Sequence, residues 1–306
     1  MKRESFFTWK GLLLWSNHFY GIAAGLLCNE TSFTLLKKPP ALFLVAFIYL
    51  STVIYYTYAY FDESKAGKYN ERSQWYLQNK SYLKIRQLIL ILITLYIAIF
   101  QLQLLEVFSN LTIGIKIILL LTALFSFLYY YAHLVFKKIT IRNEGFLKSI
   151  TITSVWVVVT CIFPIIVIEN GNKSFNPFDY ASILYLLQQF LFILILAILF
   201  DIKDLNRDND ENIKTVVAKH GIKSTISKFI TPLMAMYLSA SLFFQLHSPV
   251  LYLMQPLMIV ILLIVVAHLI QKRTSIHENI LLIDGLIIVK AVFSIVLYYT
   301  LVVKLY

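Results

Sequence analysis

Charged residues make up only 14% of this chain, against 59% hydrophobic and 15% aromatic ones, a composition that excludes a soluble protein built on one core. With 306 residues in that ratio, the apolar surface needs lipid as its solvent. Cysteine is almost missing. Cys28 and Cys161 both stand in apolar runs and read as small buried hydrophobes, so a disulfide framework or a cysteine metal centre is not expected. No small-residue cleavage pattern follows Met1-Lys2-Arg3-Glu4, and the first apolar segment is therefore expected to stay in the protein. Heptads, low-complexity tracts and a soluble linker domain are lacking too, which leaves a single membrane domain over residues 1–306. Lys and Arg outnumber Asp and Glu by 27 to 16, but they punctuate apolar runs instead of alternating with aromatics, so no nucleic acid partner is expected.

What is present is a series of long apolar runs. A helix crossing the hydrocarbon core needs about 20 apolar residues. That ruler places spans at about 11–29, 41–60, 87–107, 113–132, 149–168, 181–200, 227–245, 249–270 and 279–303, an all-α polytopic bundle of about nine helices. Alternate loops differ sharply in basic residues. One set holds Lys65, Lys68, Arg72, Lys137, Lys138, Arg142, Lys203, Arg207, Lys214, Lys219, Lys272 and Arg273, the other only Lys37, Lys38, Lys173 and the terminal Lys304. By the positive-inside rule the N-terminus is expected in the cytosol and the C-terminus outside. The cytosolic connections 61–86 and 201–226 are long and polar, and function is expected on that face.

The second of these connections opens on Asp201-Ile-Lys-Asp-Leu-Asn-Arg-Asp208. If the preceding helix continues, Asp201, Asp204 and Asp208 share one face near the membrane surface. Like charges that close need a neutralising cation, and all-oxygen ligands suit Mg2+ that keeps its waters and binds substrate phosphates. A solvated acidic loop balanced by Lys203, Arg207 and Lys214 is the plainer alternative.

This segment, with Lys214-Thr215 and His220-Gly221 after it, resembles the second aspartate-rich motif of the UbiA superfamily of intramembrane prenyltransferases, D-x-x-D-x-x-x-D, then a Gly, then K-T and a later Gly, with Asn212 standing in place of the first Gly. Lys137-Lys138-Ile-Thr140-Ile-Arg-Asn143 resembles the family's basic K-R-x-T-x-x-N stretch, and Asp284-Gly285 opens the last helix as is common there. The family's first motif falls on residues 58–66, where Asp62 remains with Glu63 beside it, so the resemblance is to a divergent member with a degenerate first motif.

The resemblance implies transfer of a prenyl group from an isoprenyl diphosphate to an aromatic or other lipid-soluble acceptor, in the bilayer and with Mg2+. It implies metal ligation by Asp62, Asp201, Asp204 and Asp208, and catalytic roles for Asp204, Asp208 and Lys137. Substrate contacts would come from Arg72, Lys137, Lys138, Asn143 and Lys214, and the implied location is the inner membrane of a bacterial cell. Tyr55, Tyr56, Tyr58, Tyr60 and Phe61 could shield an allylic cation, although aromatics at a bilayer interface also serve as anchors.

Polar residues inside spans are costly in lipid and should face the bundle interior: Asn17, His18, Gln188, Gln189 and Lys290. Interhelical hydrogen bonding is the expected role of these groups, and Asn17, near the cytosolic end, is the best of them as an acceptor contact. Two rival readings follow. A catalytically altered or inactive UbiA-like protein that binds an isoprenoid or quinone without turnover fits the degenerate first motif. A secondary transporter predicts acids at mid-membrane, whereas the acids here cluster at the surface and Pro164, Pro232 and Pro256 accompany none.

Overall fold

The computed structural model describes residues 8–66, 71–135, 145–170, 179–210, 215–246, 250–271 and 276–302; the side chains at 62–66, 130–135, 206–210, 250, 251, 276, 301 and 302 lie outside that description. Twelve helices follow one another in that part of the chain. They are α1 (His18–Thr31), α2 (Leu42–Ala66), α3 (Glu71–Gln78), α4 (Lys80–Gln101), α5 (Leu104–Asn110), α6 (Ile113–Val135), α7 (Gly145–Ile168), α8 (Tyr180–Asp210), α9 (Val216–His220), α10 (Ile222–Phe244), α11 (Met254–Leu269) and α12 (Ile276–Val302). No strand occurs among the described residues. In a bilayer that is the expected outcome, because a helix satisfies its own backbone donors and acceptors where no water can.

Among the described residues, six helices are long and apolar enough to cross a membrane: α4, α7 and α10, together with Leu42–Phe61 of α2, Tyr180–Leu205 of α8 and His277–Thr300 of α12. Two more of the expected spans coincide with apolar helices: α6, whose described side chains cover Ile113–Tyr129, and α11 over Met254–Leu269. The first expected span is broken: a wide turn over Lys10–Trp15 ends at Ser16, and Asn17 takes a left-handed conformation with φ 66° before α1 begins.

Wide helical turns also follow α1 at Ser32–Leu36 and end α4 at Ile97–Gln101, and two more stand just ahead of a proline. Val158–Ile162 precedes Pro164 in α7, and Ile226–Ile230 precedes Pro232 in α10. Proline has no N–H to give and its ring crowds the carbonyl four residues back, so the helix widens there instead of ending.

Helix α1 sits between α2 and α12, while α8 packs against α7, α10 and α12. The approach of α1 to α2 depends on Gly21 and Gly25, four residues apart on one face. A Cβ at Gly21 would lie 2.7 Å from side-chain atoms of both Tyr49 and Val53, and one at Gly25 would lie 3.3 Å from Val45. Lipid offers no hydrophobic drive between helices, so such close backbone packing supplies the attraction. Leu88, Leu92, Ile99, Phe100, Leu120, Ile261 and Ile264 face outward.

The outer helices clasp a buried charge pair. Lys290 on α12 and Glu30 on α1 are both essentially inaccessible, and Lys290 Nζ donates to Glu30 Oε1. Gln189 Nε2 (3.2 Å) and Ser294 Oγ (3.1 Å) donate to the same oxygen, and Lys290 Nζ also donates to Gln189 Oε1 at 3.0 Å. Lys290 and Gln189 thus face the interior as their cost in lipid required, and Glu30 supplies the countercharge.

Candidate functional site

The long connections expected on the cytosolic face are mostly helical. Helix α8 runs on to Asp210, so Asp201, Asp204 and Asp208 do lie on one continuous helix. In the other connection, α3 turns back over the bundle and buries Arg72, Trp75 and Tyr76. It carries Arg72 to the end of the bundle where α8 carries its aspartates.

There the helices enclose a cavity of about 430 Å3. Asp201, Lys203 and Asp204 from α8, Lys148 from α7, Arg72 from α3 and Asp284 from α12 line its polar end. From that end it follows α7 from Lys148 to Thr160 and α8 from Asp204 to Ile193, about three helical turns. Its apolar depth is lined by Ile152, Val155, Trp156, Val159, Ile193 and Leu196. Tyr20, Tyr55, Tyr56 and Tyr60 form an aromatic wall. Tyr20 stacks on Tyr56 with ring centroids 4.6 Å apart, and Trp156 Nε1 donates to the Tyr56 hydroxyl at 2.8 Å. The Tyr55 hydroxyl is committed to the Ser126 carbonyl at 3.1 Å. These rings are held as a wall and not merely as interface anchors.

Arg72 is placed by contacts from three helices. Its guanidinium lies 3.4 Å from the centroid of the Tyr60 ring and within 6 Å of Tyr20 and Trp15. Its Nη2 donates to Asn17 Oδ1, while Asn17 Nδ2 donates to Thr57 Oγ1 (3.0 Å) and the Tyr76 hydroxyl (2.7 Å). Burial raises the pKa of Tyr76, so its phenol remains a neutral hydroxyl able to accept from Asn17. Asn17 is fully buried behind Arg72, and its bonds to Thr57 and Tyr76 are the interhelical hydrogen bonds expected of a polar group inside a span; it is not among the cavity-lining residues, and its left-handed backbone breaks the first span at this point.

The two described aspartates of the motif differ in surroundings. Asp201 is 2% exposed, with Lys148 Nζ 2.8 Å from Oδ1 and Ser149 Oγ donating to Oδ2 at 3.1 Å. Asp204 is more open, with Lys203 Nζ 3.5 Å from Oδ1. One turn apart on the cavity wall, both are hard oxygen donors of the kind Mg2+ takes alongside water and phosphate. Among the described residues no three His, Cys, Asp or Glu side chains group closely enough to enclose an ion by themselves. A divalent ion here would therefore need substrate or water oxygens to complete its shell. Lys137, Lys138, Asn143 and Lys214, and the side chains of Asp62 and Asp208, lie outside the described residues.

Three charged cavity residues were not singled out as site residues from the sequence. Lys203 reads there as a counterion of the acidic loop, and Lys148 falls in the loop just before the expected span 149–168. Asp284 stood out only as half of an Asp-Gly pair. It is 3% exposed, lines the cavity, and its Oδ2 has no hydrogen-bond partner among the described residues.

No protein-family model matches this chain. No curated protein matches it either. Among solved structures, a digeranylgeranylglyceryl phosphate synthase, described as acting in membranes, superposes with a TM-score of 0.53 at 18% identity, over 95% of this chain and 94% of that one. Identity that low carries the fold alone: this chain is an all-α helix bundle that shares its fold with that synthase, and six of its described helices are long and apolar enough to cross a membrane.

Proposed function

We propose that this protein transfers a prenyl group from an isoprenyl diphosphate to an aromatic or other lipid-soluble acceptor inside the membrane. The observation that carries the reading is the single cavity with a charged end and an apolar depth, walled by tyrosines, in a fold shared with a membrane prenyltransferase. The diphosphate belongs at the charged end and the hydrocarbon tail in the depth beside Val155, Val159 and Ile193.

Each group has a physical task in that reading. Arg72 and Lys148 meet negative charge as it gathers on the leaving diphosphate, and fixed charges in a site closed to water act there without reorganising. Asn17 and the Tyr60 ring hold Arg72 in one orientation. Asp204, with Asp201 and Asp208, would hold Mg2+, which when bound supplies further positive charge beside the phosphates. Lys137, Lys138, Asn143 and Lys214 are proposed as further contacts to the donor, with Asp62 as a ligand from the opposite motif. The tyrosine faces shelter the allylic cation from water; each cation–π contact is worth about 0.5–2 kcal/mol. A cytosolic N-terminus, as the lysine pattern indicates, would open the polar end toward the compartment that holds soluble diphosphates.

The test is transfer of label from radiolabelled allylic diphosphates by the purified protein in lipid nanodiscs, against Asp204→Ala. Loss of transfer in the variant is the expected result, and equal activity in the two would remove Asp204 from the site. The ion pair of Asp201 with Lys148 favours one alternative, a protein that binds an isoprenoid without turnover. Donor binding with no pyrophosphate released would decide for it.

A further inference from the structure

Prenyl transfer, the reading on which this inference rests, leaves one proton to be placed. The carbon–oxygen bond to diphosphate breaks with its electron pair on the diphosphate, and the allylic carbon bonds to an acceptor oxygen or ring carbon. That acceptor atom must then shed the hydrogen it carried. A phenol, an alcohol and an aromatic carbon all face this requirement, so the site needs a group that takes a proton close to the diphosphate end.

Among the described groups at that end, most are committed elsewhere. Both oxygens of Asp201 are engaged by Lys148 and Ser149. Asp204 stands beside Lys203 on the side where the diphosphate is placed. Arg72, Lys148 and Lys203 are cations. Tyr56 accepts from Trp156, and Tyr55 is bonded to Ser126. Asp284 differs from all of these. It enters from α12, a different helix from the one that carries Asp201 and Asp204, and it is nine-tenths buried and more. Its neighbours in charge are Tyr20 from α1, Lys203 from α8 and Arg72 from α3. One of its oxygens, Oδ2, is shielded from water and has no donor among the described residues. A buried carboxylate oxygen left without a donor is costly, and such groups are found where a catalytic partner or ligand completes them.

We propose that Asp284 is the catalytic base of this cavity: its carboxylate takes the proton that the acceptor gives up as the new bond to the prenyl carbon forms. Arg72, Lys203 and Tyr20 line the cavity with Asp284, so the carboxyl stands at the charged end and beside the aromatic wall. The acceptor is thereby placed beside Asp284 on the α12 wall of the cavity. The acceptor class follows from the base: a molecule with a phenolic or alcoholic O–H, or a ring C–H activated by one, and not a tertiary amine or a thioether.

The experiment separates ionisation of the donor from transfer. Labelled geranyl, farnesyl and geranylgeranyl diphosphates are supplied to the full protein in nanodiscs, with para-hexylphenol and a hexadecyl glycerol ether as acceptor probes. Pyrophosphate release and prenyl adduct are measured in parallel for wild type, Asp284→Asn and Asp284→Ala. The expected result is adduct formation down by about 10²-fold or more, the scale of a lost general base, with pyrophosphate release now exceeding adduct and the difference recovered as prenyl alcohol, the cation having been taken by water. Added formate, a small carboxylate, should restore part of the adduct in Asp284→Ala and none in Asp204→Ala. Should Asp284→Asn fail to fold, judged by its melting curve, the formate rescue of Asp284→Ala carries the test. Loss of pyrophosphate release together with adduct would show that Asp284 serves the diphosphate end through Arg72, and would overturn the proposal; so would full adduct formation in Asp284→Asn or a failure of formate to rescue. A wild-type protein that releases no pyrophosphate from any donor removes the prenyl-transfer reading itself, an outcome distinct from an Asp284 variant that still ionises the donor.

Discussion

Lys148 Nζ lies 2.8 Å from Asp201 Oδ1, a buried ion pair that joins the start of α7 to the aspartate motif of α8 at the polar end of the cavity. Removing one partner leaves the other charge stranded, a loss of about 3–5 kcal/mol for a buried pair. Lys148→Met should therefore lower both the stability of the protein and its affinity for the diphosphate donor. Denaturation in detergent and donor KM check the two effects separately. Unchanged KM in a folded Lys148→Met protein would take Lys148 out of the site.

Asn17 and Arg72 form a second linked pair, and their variants should differ in kind. Arg72→Lys keeps the charge but loses the planar contact with Tyr60 and the bond to Asn17, and is expected to raise donor KM and depress kcat. Asn17→Ala leaves Arg72 in place without one hydrogen bond, a cost of about 1.5–3 kcal/mol for a charged group, and should act mainly on kcat through misorientation. Acceptor KM should stay where it was, because Asn17 does not line the cavity.

The clasp between α1 and α12 predicts a stability effect away from the chemistry. Lys290→Met should destabilise by about 3–5 kcal/mol, because Glu30 then keeps a buried charge with no cation. Combining it with Glu30→Gln should recover much of that loss. Equilibrium unfolding of the two single variants and the double variant gives the coupling directly.

Close packing of α1 on α2 makes Gly21 sensitive to any added side chain. Gly21→Val drives carbon into Tyr49 and Val53 and should cost about 1–3 kcal/mol, the usual range for overpacking. The melting temperature of the variant measures it. A Cβ at Gly285 meets nothing within 4 Å, so Gly285→Ala serves as the tolerated control.

Removal of divalent metal tests the oxygen cluster. Chelation should abolish transfer and Mg2+ should restore it, with the half-restoring concentration raised in Asp204→Asn. Transfer that persists after chelation would mean that Arg72, Lys148 and Lys203 suffice to neutralise the diphosphate.

Much of this was legible in the sequence because its causes are local. The scarcity of charge required lipid, and long apolar runs in lipid require helices. The spacing of Asp201 and Asp204 put both on one face as soon as α8 continued past the apolar run, which it does as far as Asp210. Lys290 and Gln189 had to face inward for the same reason. Glu30 escaped notice because it sits at the edge of the first expected span, where a run of polar residues reads as the outer loop.

The pairings themselves were decided only by the tertiary structure. Glu30 and Lys290 are 260 residues apart, Asn17 and Arg72 are 55 apart, and Ser149 and Asp201 are 52 apart. Periodicity tells which way a side chain faces along its own helix, and it carries no information on which helix stands opposite. That depends on packing: α1 comes close enough to α2 at Gly21 for Asn17 to reach Thr57, and α3 folds back to bring Arg72 against it. The class of protein and the face that carries its acids thus follow from composition and spacing. The partner of each charge, and the placing of Asp284 on the wall of the cavity, follow from how the helices pack.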